Sequence, residues 1–157
     1  MSCPEVPGEP TKSKYTEKGC IHWFDPDSPY EYISSQKARP FIIVGRNNFK
    51  SPRVIISPLQ DLKNYTAKGK LKYPFHTSLY KKHYDFLDKD SVILLDQVYT
   101  IPKRELWAEW YMGKVDDLRK IDLALFYNFD LYDTITYMTG KMVGAMEDWH
   151  INRHSRR

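Results

Sequence analysis

Three short apolar runs, two fenced by proline or glycine and the third by aspartates, constrain this chain more than any other feature. Residues 40–45 read PFIIVG, residues 53–57 read RVIIS before Pro58, and residues 91–95 read SVILL. Runs this short and this rich in β-branched side chains suit buried strands and are too brief for buried helices. Pro40 has no N–H, so it belongs at the start of its strand or on an edge. Residues 19–25, GCIHWFD, suit a strand with one wet face, stopped by Asp25-Pro26. A Pro-, Ser- and Asp-rich loop follows, and residues 46–51 form a polar turn. Residues 59–72, LQDLKNYTAKGKLK, read as a loop with at most one helical turn, and residues 73–79 as a further strand. Residues 107–112 fit a strand or a helical turn equally well. At Asp116 the period changes. Leu118, Ile121, Leu125 and Phe129 recur at helical spacing, and Asp116 is placed to cap that helix. Residues 132–149 predict a second helix, interrupted by Gly140 and Gly144. Strands first and helices last, with no βαβ alternation, predict a mainly β fold: a small, strongly bent antiparallel sheet or barrel with C-terminal helices.

A chain of 157 residues is one domain with decorated ends. Residues 1–17, with three prolines and little to bury, predict a disordered arm. Residues 18–132 carry the folded domain, and residues 133–157 a helical extension ending in the basic tail HINRHSRR. The net charge of +4 favours a polyanionic partner only mildly. No apolar run is long enough to span a bilayer, and the first residues lack the apolar stretch of a signal peptide. Cys3 and Cys20 are too few for a disulfide scaffold or a cysteine-only zinc site. The expectation is a reduced, cytoplasmic protein with no membrane partner.

No phosphate-cradling glycine loop, paired CxxC, HExxH or GxSxG is present, and the five histidines are not spaced as a metal cluster. Neither metal nor cofactor is therefore expected. Polar residues do stand at the ends of the expected core strands: Arg39, then Gln60 with Asp61, then Asp96 with Gln97. On pattern alone, backbone or water satisfies each of them. A functional role requires them to converge on one concave face. The lysines of residues 63–72, with Tyr65, Tyr73, Phe75 and Tyr80 interleaved, fit a solvated face or a track for single-stranded RNA.

Taken in order, GCIHWFDPDS, ARPFIIVGRNNF, VIISPLQD and DKDSVILLDQVYTIPKREL resemble the MazF/PemK family of toxins from type II toxin–antitoxin systems. Lys103, Gly113 and residues 116–131 continue the pattern, so the resemblance covers about residues 18–132. It implies an SH3-like or CcdB-like β-barrel acting as a homodimer. It implies a metal-independent, sequence-selective endoribonuclease for single-stranded RNA (an mRNA interferase), inhibited by a cognate antitoxin protein. In such a reaction the RNA's own 2′-OH attacks and leaves a 2′,3′-cyclic phosphate, which needs a base, a cation for the phosphorane and an acid. On the family pattern, Arg39 stabilises the phosphorane and Asp96 is the base or the organiser of Arg39. Glu31 matches an acidic residue of the long loop, and His76 a histidine found before the DQ strand in some members, which contacts RNA or is structural. Gln97 follows Asp96 in the DQ motif. Two positions depart from the pattern. Gln60 stands where a Ser or Thr hydroxyl is usual, and an amide cannot act as a base. Tyr99 stands where Arg is usual, and it can stack on a base but adds no charge. The alternative these departures imply is a barrel that binds RNA with weak or no catalysis, or poisons a protein target such as gyrase.

Overall fold

The structure, a computed structural model, describes residues 8–26 and 38–155. Strands β1 (Cys20–Phe24), β2 (Arg39–Ile43) and β3 (Arg53–Asp61) come first. A 3-10 turn over Leu62–Tyr65 leads to a two-strand ribbon, β4 (Thr66–Ala67) and β5 (Lys70–Leu71). Strands β6 (His76–Leu79), β7 (Ser91–Leu94), β8 (Tyr99–Pro102) and β9 (Tyr111–Lys114) follow, then helices α1 (Arg119–Asn128) and α2 (Tyr132–Ser155). The main sheet has seven strands in the order β6-β7-β3-β2-β1-β9, with β8 also paired to β3, and every pairing is antiparallel. The expected mainly β fold, a curled antiparallel sheet with C-terminal helices, is the one observed.

The sheet curls around β3. That strand pairs with β2 on one side, and on the other first with β8 and then with β7. Its β8 pairings end at Ile56 and its β7 pairings begin at Leu59. Pro58, which has no N–H to give, falls in the gap between them and therefore does not end the strand. Alternation along β2 sends Ile42 and Val44 to one core, where they pack with Leu59, Ile93, Leu95 and with Ile121 and Ala124 of α1. Phe41 and Ile43 point the other way, into a second cluster with Ile56, Ile101 and Leu106.

Several expectations are corrected. The stretch expected as a loop from residue 59 begins with the last three residues of β3, because Gln60 and Asp61 are paired with Val92 and Ser91. Only His76–Leu79 of residues 73–79 is strand, and residues 107–112 divide between a 3-10 turn and β9. Asp116 does not cap α1. It accepts from the Tyr84 hydroxyl and the Asp117 N–H instead, and the helix begins after Leu118 with no side-chain cap. Gly140 and Gly144 do not interrupt α2, since both lie in open space where nothing crowds a continuous helix. Residues 1–7 of the expected disordered arm lie outside the described residues, and from Thr11 the arm is docked. Ser13 donates its N–H to the Leu106 carbonyl, Thr11 accepts from the Ala108 N–H, and the Ser13 hydroxyl meets buried His22 Nε2 at 2.7 Å. Backbone and polar side-chain bonds, which composition cannot report, hold it there. Of the tail, Arg156 and Arg157 lie outside the described residues, and α2 continues to Ser155.

Candidate functional site

Register places Arg39 and Gln60 on one face of the sheet with Tyr99 and His76. Residues paired across antiparallel strands share a face, and residues two apart on a strand share it too. Arg39 lies two before Phe41, Phe41 pairs with Pro58, and Pro58 lies two before Gln60. Gln60 pairs with Val92, and Leu94, two further on, pairs with His76. Ile56, two before Pro58, pairs with Tyr99. Arg39, Gln60, Tyr99 and His76 therefore face the same way, from four different strands.

Arg39 and Gln60 line a cleft of about 260 Å³ with Asp61, Asp88, Lys89 and the apolar Trp23 and Leu59. Pro40, next to Arg39, starts β2 as its missing N–H requires. Burial pulls the Arg39 guanidinium below its ordinary value, against the phenols of Tyr65 and Tyr99, which pull it up. It nonetheless stays charged at neutral pH, as guanidinium does in proteins. Its Nε is buried without a hydrogen-bond partner, and no described carboxylate pairs with it. Asp61 is engaged elsewhere, with Lys89 at 3.3 Å and Lys63 at 3.5 Å. The cleft thus presents a partly buried cation, whose Coulomb attraction to an anion would be stronger there than in water.

Tyr65 links the two parts of the site. Its hydroxyl donates to Gln60 Oε1 at 2.8 Å, which anchors the amide oxygen and leaves the Gln60 NH₂ without an acceptor among the described residues. Its ring packs edge-on against His76, with centroids 5.3 Å apart. Tyr73 and Phe75 also meet His76 edge-on, at 5.5 and 4.7 Å, and stack on each other at 5.1 Å. Tyr73 is half exposed, so the cluster offers a wet aromatic surface.

His76 Nε2 lies 3.4 Å from Asp96 Oδ1. Burial lowers the imidazole's pKa, and Asp96 pulls it up by less, so the ring is neutral at neutral pH. In that state the Nε2–H faces the carboxylate, and Nδ1 is buried without a partner. Asp96 itself is more than a third exposed, so a reacting group can reach its open side. Tyr99 donates its hydroxyl to Gln97 Oε1 at 3.3 Å, beside the same face.

Of the residues expected to act, Arg39 and Gln60 share the cleft, while Asp96 pairs with His76 and does not line it. Glu31 lies outside the described residues. Tyr65 is the residue whose central position the sequence does not disclose. Among the described residues no cluster of three His, Cys, Asp or Glu could hold a metal, and no helix is long and apolar enough to cross a membrane.

Comparison with known proteins adds an independent line. Residues 17–125 match the family model described as the PemK-like, MazF-like toxin of type II toxin–antitoxin systems. The chain is 38% identical over 111 residues to the endoribonuclease MazF of Staphylococcus epidermidis, covering 66% of this chain and 87% of that one. Among solved structures it is similar to an endoribonuclease in complex with its cognate antitoxin from a mycobacterial species, at TM-score 0.55 and 22% identity, over 73% of this chain and 95% of that one. A second mycobacterial endoribonuclease matches at TM-score 0.51 and 19% identity, over 73% and 90%. At these identities the structural matches speak for the fold.

Proposed function

The chain belongs to the PemK-like, MazF-like toxins of type II toxin–antitoxin systems, and from that premise we propose that it is a cytoplasmic endoribonuclease that cuts single-stranded RNA at a short sequence, works as a homodimer and is restrained by a cognate antitoxin. The observation that carries this reading is Arg39: a half-buried guanidinium in a cleft, without a described carboxylate partner, beside an amide whose NH₂ has no acceptor among the described residues. Such a pair suits a phosphodiester, with the guanidinium fork on the non-bridging oxygens and the Gln60 NH₂ beside it. As the 2′-OH attacks, charge builds on those oxygens, and a cation already in place stabilises the phosphorane more than the diester. Asp96, paired with His76, takes the 2′-OH proton, the P–O5′ bond breaks, and the departing 5′-oxygen takes its proton from solvent. The exposed ring of Tyr73, next to Phe75, gives a flanking base a surface to stack on. Tyr99 and Gln97, on the same side, meet a neighbouring base edge. No step asks Gln60 to accept a proton, so its amide is compatible with catalysis.

The test is an RNA containing the cleavage site with a single 2′-deoxy nucleotide on the 5′ side of the scissile bond. The reading predicts that the all-ribose strand is cut to a 2′,3′-cyclic phosphate and the substituted strand is left intact. Cleavage of the substituted strand would show that an external nucleophile attacks, and the roles given to Arg39 and Asp96 would fail.

A further inference from the structure

A second surface lies at the other ends of β2 and β3. Arg46 stands seven residues beyond Arg39 and Arg53 seven before Gln60, which at about 3.3 Å per residue puts roughly 20 Å between the cleft and this surface. Two adjoining grooves meet there. Arg46 and Arg53 wall one, with a volume of about 720 Å³. Lys12, Lys50, Lys103 and Arg104 wall the other, of about 410 Å³. Phe49 and Ser51 are common to both, and Phe49 is 89% exposed. No acidic residue lines either groove among the described residues. Of the six cations, only Arg104 has a described ion-pair partner, Glu105 at 3.8 Å, and the Lys103 ammonium donates to the Asn48 carbonyl.

Six like charges held this close repel one another, and a chain whose net charge is only +4 gathers them beside a bare aromatic ring. The docked arm adds Lys12 to the group, since its backbone is bridged to Trp107. Cations along a groove with a stacking ring at its centre are what a single strand of nucleic acid engages, through phosphates and a base.

We propose that this surface, formed by residues 46–53 with Lys103, Arg104 and Lys12, is a second RNA-binding site, which holds the backbone of the substrate strand at a distance from the scissile phosphate. The proposal rests on the ribonuclease reading and adds that affinity depends on RNA beyond the cleavage sequence. A strand that reaches both sites binds tighter than one confined to the cleft, and its binding is steeper in salt.

The experiment compares a minimal cleavage-site oligonucleotide with the same sequence extended by unstructured RNA on both sides. Both are made with the 2′-deoxy substitution so that binding is read without cutting, and affinity is measured across a salt series. The variant is Lys50→Gln/Arg53→Gln/Arg104→Gln, at three exposed positions outside the cleft. Each phosphate contact on a single strand contributes about 0.7 to the slope of log K against log salt, so the variant should lose about 2 from the slope for the extended RNA. The slope for the minimal RNA and its rate of cutting in all-ribose form should not change, and Phe49→Ala should weaken only the extended strand. Equal affinity and slope for the two RNAs in the native protein would overturn the proposal. So would a variant with unchanged binding of extended RNA, which is what a surface built for an acidic protein would give. In both cases continued cutting of the minimal RNA would leave the ribonuclease reading standing. A native protein that neither binds nor cuts either RNA would overturn both.

Discussion

Tyr65 joins an amide, a guanidinium and an imidazole, and the simplest test of that position removes one oxygen. Tyr65→Phe keeps the ring against His76 and frees the Gln60 amide to turn. One hydrogen bond of this kind is worth about 1 kcal/mol, so kcat should fall about five-fold while the melting temperature stays nearly constant. Unchanged kcat would show that the amide needs no anchor. Buried His22 supplies a second test at this scale. Burial pushes its pKa down from the ordinary 6.5 to about 4. A depressed histidine stabilises the fold above pH 6.5, and that stability is lost as pH falls toward about 4, because the unfolded chain takes up the proton first. The loss should be roughly 3 kcal/mol across that window. Urea unfolding from pH 7 to 4.5 should show it in the native protein and much less of it in His22→Gln, while matching slopes in the two would contradict it. Arg39, Gln60 and Asp96 were legible in the sequence because each ends a short apolar run. Tyr65 was legible only as one aromatic in a lysine-rich loop, since nothing periodic there tells which ring turns inward. The meeting of His76 with Asp96 depends on the pairing of His76 with Leu94, a register that neither segment specifies alone.

At the scale of elements, the core strands and the first helix were legible because burial imposes a period on them. What was hidden depends on pairing. Strand β3 runs through Pro58 because the proline falls where the strand changes partners, and a local reading of proline stops the strand there. The arm is held by hydrogen bonds to the carbonyl of Leu106 and the N–H of Ala108, groups about a hundred residues away. The turn that enters β1 shows the constraint most sharply. Gly19 has φ of +96°, its N–H donates to the Ile43 carbonyl, and a Cβ there would lie 2.6 Å from the Val115 carbonyl oxygen. Gly19→Ala combines left-handed strain with a backbone clash, so it should cost about 2–3 kcal/mol of unfolding free energy. Equilibrium denaturation measures it directly. A cost below about 0.5 kcal/mol, the range of ordinary surface changes, would mean that the β1 entry relaxes freely.

Over the whole molecule, the curled sheet makes two faces from one set of strands. One face carries the core shared with α1, and the other holds Arg39, Gln60, Tyr99 and His76 in register. The family match ends at residue 125, so α2, which starts at Tyr132, lies outside it. The same strands that present Arg39 and Gln60 at one end lead to the basic grooves at the other. The proposed activity turns on Arg39 stabilising a phosphorane in a reaction that needs no metal. The direct measurement is cleavage of a long, weakly structured RNA by purified protein in excess EDTA, with ends mapped by primer extension and Arg39→Ala run beside it. The account predicts discrete cuts that persist in EDTA, and a loss of about 10²-fold or more in the folded Arg39→Ala protein. Cuts that vanish with EDTA, or that Arg39→Ala makes at the native rate, would contradict it.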